Sequence, residues 1–155
     1  MMVAVPLMGV VVSRPEPDMT QSTRFASTRA AHRDETAEDY VEAIAQLIER
    51  TGSARVGELA RCMGVSHVTV TRIVDRLCKE GLAEREPRGP IELTELGRAM
   101  AEASRIRHEI VLGFLLAAGV DDEQAQIDAE GMEHHASGQT LGILAELTRR
   151  LKERD

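Results

Sequence analysis

The segment from Val56 to Thr94 constrains the fold more than any other part of the chain. It reads VGELARCMGVSHVTVTRIVDRLCKEGLAEREPRGPIELT. A short helix over Val56–Met63 ends at Gly64, and Ser66 can cap a second helix that closes at Gly81. Two short helices around a glycine-containing turn have the form of a helix-turn-helix. The runs LAERE and IELT then flank PRGP, whose prolines and glycine are turn chemistry, so a hairpin follows. A helix-turn-helix with a hairpin directly behind it is a winged helix.

The rest of the chain reads as helix. TAEDYVEAIAQLIE, from Thr36 to Glu49, sets Val41, Ile44, Ala45 and Ile48 at helical spacing behind an acidic start. Gly52 in TGSAR is a plausible C-terminal cap. Thr94 opens a long helix reaching Leu116 and stopping near Gly119, Asp121 or Asp122 caps another, and LGILAELTRRL forms the last. Only Phe25, Tyr40 and Phe114 are aromatic, so the core is Leu, Ile, Val, Met and Ala, a composition that favours helices. The same shortage argues against single-strand nucleic-acid binding, which uses aromatic stacking platforms. A length of 155 residues fits one domain, or two small lobes sharing a core.

Cys62 and Cys78 form no CxxC and are too few for a secreted disulfide scaffold, which points to core thiols in a reducing, cytoplasmic setting. The apolar run Val3–Val12 lacks a basic flank, contains Pro6 and Gly9, and is shorter than the ~20 residues of a membrane span. Residues 1–33 are therefore expected to be a disordered extension, with Met19 a plausible later start, and no membrane partner is expected.

A net charge of −7 looks unfavourable for DNA until it is divided along the chain. Residues 1–49 carry −4 and residues 91–155 carry −6, whereas residues 50–90 carry +3. A local basic patch is what a phosphate backbone feels. On the helix after Ser66, Val70, Ile73, Val74 and Leu77 follow i, i+3, i+4, i+7 and should face the core. Ser66, His67, Thr69, Arg72 and Arg76 then point outward, where arginine can fork onto guanine and hydroxyls can meet bases or phosphates. Arg88 at the hairpin tip is placed to touch the adjoining minor groove or backbone. An ordinary helical hairpin with a charged solvent face would show the same outward residues. Capping, the following hairpin and the basic middle third agree on DNA.

The stretch DAEGMEHHAS, Asp128 to Ser137, sets two glutamates and two histidines within six residues. Helical spacing puts Glu130, Glu133 and His134 on one face, with His135 turned away and Ala125, Ala129, Met132 and Ala136 on the expected core side. Asp39 and Glu42, spaced i and i+3, lie opposite the apolar face of the first helix. Taken singly, each face also reads as a solvated acidic stripe. His108 lines up with Ala101, Ser104, Val111, Leu112 and Leu115, where a hydrogen-bonded core histidine is the plainer reading. A buried histidine needs a polar partner, however, and two acidic faces are available. If the three helices converge, Asp39, Glu42, His108, Glu130, Glu133 and His134 form a sulfur-free site whose four carboxylates repel one another without a cation. Oxygen plus imidazole suits Mn²⁺ and tolerates Fe²⁺, Co²⁺ or Zn²⁺. HEIVL lacks the second histidine of HExxH, and P-loop, GxGxxG and GxSxG motifs are absent, so no enzyme and no small-molecule substrate are expected.

Three pieces, DYVEAI (Asp39–Ile44), RHEIVLGFL (Arg107–Leu115) and DAEGMEHH (Asp128–His135), stand in an order and spacing that resemble the manganese transport regulator (MntR) family of the diphtheria toxin repressor superfamily. The resemblance covers roughly residues 36–153. It implies a mainly α protein, with a winged helix-turn-helix DNA-binding domain over 34–93 and an all-helical metal-binding and dimerisation domain over 94–155. It also implies a homodimer on double-stranded operator DNA and a binuclear Mn²⁺ site between the lobes. Carried over by motif, one ion would use Asp39, Glu42, His108, Glu130 and Glu133, and the second would share Glu130 and Glu133 and add His134. The iron-responsive branch typically has Met at the position of Asp39 and Cys at that of Glu130, so the oxygen donors here favour manganese. The chain also ends before any SH3-like third domain, as manganese regulators do. The implied function is repression of manganese-uptake genes when the metal is plentiful. The first thirty or so residues match nothing in the family, and SHVTVTR fixes no particular operator. Two alternatives remain: a metal-independent winged-helix repressor gated by a small molecule or cysteine oxidation, and a metal buffer or metallohydrolase without sequence-specific DNA affinity.

Overall fold

A computed structural model describes the backbone of residues 21–153 and the side chains of residues 32–153. The run Val3–Val12 and Met19 lie outside the described residues. Helix α1 spans Gln21–Thr51, so it begins well before Thr36. No glycine or proline interrupts residues 21–35, and alanines recur there, so nothing stops the helix from extending backwards. The described part of the expected 1–33 extension is therefore helical.

The winged helix forms as its punctuation demands. Helix α2 (Val56–Met63) ends at Gly64 in the left-handed conformation, φ 65°. Helix α3 (His67–Lys79) is capped by Ser66, whose side chain accepts from the Thr69 amide. Strand β1 (Ala83–Arg85) pairs antiparallel with β2 (Ile91–Leu93) in the register Ala83↔Leu93, Glu84↔Glu92, Arg85↔Ile91. Ala54 bridges to Ile91 and ties the loop after α1 to the wing. Helix α4 (Glu95–Ala117) starts at Thr94, whose hydroxyl donates to the Gly81 carbonyl at 2.7 Å and caps the Gly97 amide. Gly97 lies so close to the Leu82 carbonyl that a Cβ would sit 1.9 Å from its oxygen, so only glycine lets α4 leave the wing at this angle. Helices α5 (Asp122–Glu133) and α6 (Gly138–Lys152) follow, capped by Asp121 and Ser137.

Two cores result. The first gathers Tyr40, Val41, Ile44, Leu59, Val70, Val74, Leu77, Ile91 and their neighbours from α1, α2, α3 and the wing. The second holds Val111 and Leu115 of α4 against Ala125 and Ala129 of α5, with half-buried Leu141 and Leu144 of α6. Helix α4 belongs to both, through Ala101 and then Val111, and α1 packs along it. No residue of α6 is buried, and Ile143 and Leu147 lie exposed on it. Among the described residues no helix is long and apolar enough to cross a membrane.

Helix α5 differs from its expected orientation. Met132 is 42% exposed, whereas Glu133 is 1% exposed. The buried line along α5 runs Ala125, Ala129, Glu133 at successive four-residue steps. A carboxylate thus occupies the place where an amphipathic helix would carry its next apolar residue.

Candidate metal centre and nucleic-acid interface

Glu133 is the centre of the polar cluster that this exchange creates. Its Oε2 lies 2.8 Å from His108 Nδ1, and its Oε1 accepts from the Ser104 hydroxyl at 3.3 Å. Helix α4 supplies both partners, four residues apart on the face that also carries Ala101 and Val111. Glu130, one turn before Glu133 and 69% exposed on its side chain, brings Oε1 to 3.6 Å from the same histidine nitrogen. Donor atoms of His108, Glu130 and Glu133 all lie within 4.8 Å of one another. Helix α1 closes the cluster from a third side, because His134 Nε2 sits 3.2 Å from Asp39 Oδ1 and 3.7 Å from Glu133 Oε1.

Five of the six residues singled out from the sequence are therefore brought together. Glu42 is the sixth. It lies one turn beyond Asp39 and accepts from Gln46 at 3.3 Å, and its charge is felt by Glu133 without direct contact. Sequence reasoning missed Glu38, Arg107 and Ser104. Glu38 Oε2 is hydrogen-bonded to His134 Nδ1 at 2.9 Å and forms an ion pair with Arg107 Nη2 at 2.6 Å. The adjacency of Glu38 to Asp39 and of Arg107 to His108 was the available signal. His135, set aside on spacing, indeed points elsewhere and meets Glu35 at 3.5 Å.

The electrostatics suit a cation. Burial pushes the Glu133 carboxyl above its ordinary range, the two histidines pull it back, and Glu130 and Glu42 push it further up. Burial likewise raises Asp39, opposed by His134 and reinforced by Glu130, Glu35 and Glu38. For His134, burial disfavours the charged ring, but the Glu38 hydrogen bond and the charges of Asp39, Glu133 and Glu38 outweigh it and raise the pKa overall. Negative charge is crowded here beyond what the local histidines balance. The donors are carboxylate oxygen and imidazole nitrogen, a set that fits a hard or borderline divalent ion. Both cysteines sit in the other lobe, on α2 and α3.

On the opposite lobe, the outward face of α3 is only partly what spacing predicts. Val70, Val74 and Leu77 are buried, as expected. Arg72, His67 and Arg88 are exposed, and Arg88 holds the wing turn with φ 62°. Ser66 and Thr69 are engaged with each other, their hydroxyls 3.0 Å apart within the cap. Arg76 turns inward: its Nη2 donates to the Arg33 carbonyl at 3.2 Å and its Nε pairs with Glu80 at 3.6 Å. Val68, unremarked in the sequence, is 71% exposed at the start of α3. An apolar side chain so placed can meet a thymine methyl.

Residues 34–91 match the family described as iron dependent repressor, N-terminal DNA binding domain. Residues 94–154 match its partner, iron dependent repressor, metal binding and dimerisation domain. The transcriptional regulator MntR of Escherichia coli O6:H1 is 48% identical over 117 residues, covering 76% of this chain and 76% of the relative. The chain belongs to the MntR transcriptional regulators of the iron-dependent repressor family. MntR of Salmonella typhimurium is 44% identical over 124 residues, covering 80% and 79% of the two chains, and that of Bacillus subtilis is 36% identical over 118, covering 76% and 83%. Among solved structures, a manganese-dependent transcriptional repressor in complex with manganese aligns with TM-score 0.65 at 27% identity, over 72% of this chain and 52% of that one. The manganese regulator SloR aligns with TM-score 0.64 at 25% identity, over 73% and 53%. The chain thus spans about half the length of these two solved structures. Membership makes this a DNA-binding transcriptional regulator with a metal-binding, dimerising lobe, not an enzyme.

Proposed function

We propose that the chain is a manganese-responsive repressor that binds operator DNA as a cytoplasmic homodimer and controls manganese-uptake genes. The observation that carries this reading is the convergence of His108, Glu130 and Glu133 at metal-ligand range, with His134 at the end of α5 and Asp39 of α1 closing the cluster. Asp39, Glu42, His108, Glu130, Glu133 and His134 would hold the metal, as a binuclear site with Glu130 and Glu133 shared. Bound Mn²⁺, or Fe²⁺, Co²⁺ or Zn²⁺ in its place, supplies the positive charge that offsets four carboxylates.

The chain's own architecture turns that charge balance into a DNA response. Asp39 and Glu42 stand on α1, whose Val41 and Ile44 are buried in the core that carries α3. His108, Glu130 and Glu133 stand on α4 and α5, in the dimerisation lobe. The stance of α1 against α4 and α5 therefore sets where α3 sits relative to the dimer axis. Dimers read half-sites spaced by the DNA helical repeat, so a fixed stance raises operator affinity. The apolar stripe of α6, Ile143 and Leu147, is the face that a second copy covers. Arg72, His67 and Val68 enter the major groove, Arg88 contacts the backbone or minor groove, and Ser66 and Thr69 present the helix start. Arg76 contributes by fixing α3 against α1.

Fluorescence anisotropy on candidate operator DNA tests the reading, with Mn²⁺ titrated into chelator-treated protein at fixed salt, because affinity depends on salt. Binding that rises steeply with Mn²⁺ is the expected result. Equal binding with and without metal would remove the metal from the mechanism and leave the winged helix standing.

A further inference from the structure

Glu38 does two things with one oxygen. Its Oε2 lies 2.9 Å from His134 Nδ1 and 2.6 Å from Arg107 Nη2, so it joins α1 to α4 and to the C-terminal cap of α5. With Nδ1 engaged, the opposite ring nitrogen of His134 faces Asp39 Oδ1 at 3.2 Å and Glu133 Oε1 at 3.7 Å. A ligating histidine is generally held at its other nitrogen by a carboxylate or carbonyl, which fixes its tautomer and ring plane.

We propose that Glu38 is a positioning residue of the metal centre, holding His134 so that Nε2 faces the ligand carboxylates, and that Arg107 in turn fixes Glu38. The role rests on the metal-site reading above and extends it to side chains that touch no ion. Arg107 is needed because Glu38 neighbours other carboxylates and would otherwise be pushed away from them or drawn towards the cation. Side-chain exposures of 22% for Glu38 and 23% for Arg107 shield the pair from solvent, and His134 is more buried still at 11%. A freely exposed ion pair would hold no such geometry. The consequence is selective: the ion that uses His134 depends on Glu38, whereas the ion held by His108, Glu130 and Glu133 does not.

The test is a Mn²⁺ titration of the full chain and of Glu38→Ala, Glu38→Gln and Arg107→Ala, read by electron paramagnetic resonance and calorimetry. Metal-free melting temperatures confirm that each variant folds. The wild type is expected to take up two ions with an exchange-coupled spectrum. Glu38→Ala should keep the first ion and weaken the second by about 10–100-fold, so that the single-ion spectrum persists where the wild type is coupled. Glu38→Gln retains an oxygen acceptor for Nδ1–H and should recover most of the second ion's affinity. Arg107→Ala should shift the second ion in the same direction as Glu38→Ala, by less. Two ions bound by Glu38→Ala with wild-type affinity and coupling would overturn the role, as would equal weakening of both. A wild type that takes up one ion or none defeats the two-ion reading itself, and the positioning role falls with it. The two failures are distinguished by the protein in which they first appear.

Discussion

The two lobes are built on opposite terms. Among the described residues, seventeen buried side chains fill the core of the DNA-binding lobe, and only four fill that of the dimerisation lobe. The first core uses Ile44, Leu59, Leu77 and Ile91, large side chains from four elements. The second relies on two alanines facing Val111 and Leu115, a buried carboxylate, and a helix with no buried residue. The first lobe is finished by its own chain. The second is left with an apolar stripe on α6 and a buried carboxylate at Glu133, which on the proposed reading a second copy and a cation complete. That incompleteness is what lets the lobe report on its surroundings, because binding to the folded state alone stabilises it by mass action.

The largest effect that would test this contrast is in the finished lobe. Leu77→Ala should destabilise the chain by about 2–5 kcal/mol, the usual cost of emptying a fully buried leucine site. Urea unfolding should show that loss with and without Mn²⁺ alike. A loss that vanishes on adding metal would mean that the two cores are not separate. In the unfinished lobe a substitution at a buried position should cost the metal-free chain nothing. Glu133→Gln keeps the shape and the contacts to Ser104 and His108 but removes a charge that burial disfavours. Metal-free stability should hold or rise, while Mn²⁺ affinity falls by about 100-fold, roughly 2.7 kcal/mol. Calorimetry and unfolding on the same preparation check both halves. A metal-free protein destabilised by this change would show that Glu133 is structural rather than poised for a cation.

A smaller effect separates reading DNA from sensing metal. Arg72→Ala should weaken operator binding by about 1–3 kcal/mol and leave Mn²⁺ affinity of the free protein nearly unchanged. Anisotropy and calorimetry measure the two, and unaltered operator affinity would remove Arg72 from the contact surface.

Arg72 and Arg76 also show what the sequence could and could not convey. The caps, Gly64, and the turn residues act through neighbours in the chain, so the winged helix was legible almost to the residue. Both arginines lie outside the buried stripe of α3, but only the tertiary position of the Arg33 carbonyl decides that Arg76 turns inward. Glu133 is the same problem in reverse. Helical spacing placed it beside Glu130 and His134 but put Met132 on the core side of α5, because an apolar Met132 outranks a glutamate in any pattern. Ser104 and His108, arriving from α4, reverse the order. Glu38 escaped notice because its partners are distant in sequence, His134 by ninety-six residues.

The smallest predicted effect is a pH dependence whose direction depends on whether metal is bound. His134 has a raised pKa when folded, so it holds its proton more tightly in the folded chain. The stability it adds is present below its ordinary value of 6.5 and fades as pH climbs through the folded value. Glu133 and Asp39 are raised too, by burial first, and a carboxyl that keeps its proton longer when folded also loses stability as pH rises. All three slopes have one sign. The metal-free chain should therefore melt at progressively lower temperature as pH rises past 6.5, the direction set by the upward shift of His134. Metal ligands must give up their protons, so stabilisation by saturating Mn²⁺ should grow over the same range. Melting curves across these pH values, in chelator and in Mn²⁺, should diverge with rising pH. The DNA-binding lobe offers a control, since Leu77→Ala should lower both sets of curves without changing how they diverge. Parallel curves with and without metal would mean that the cluster's protons and the cation do not compete for the same atoms.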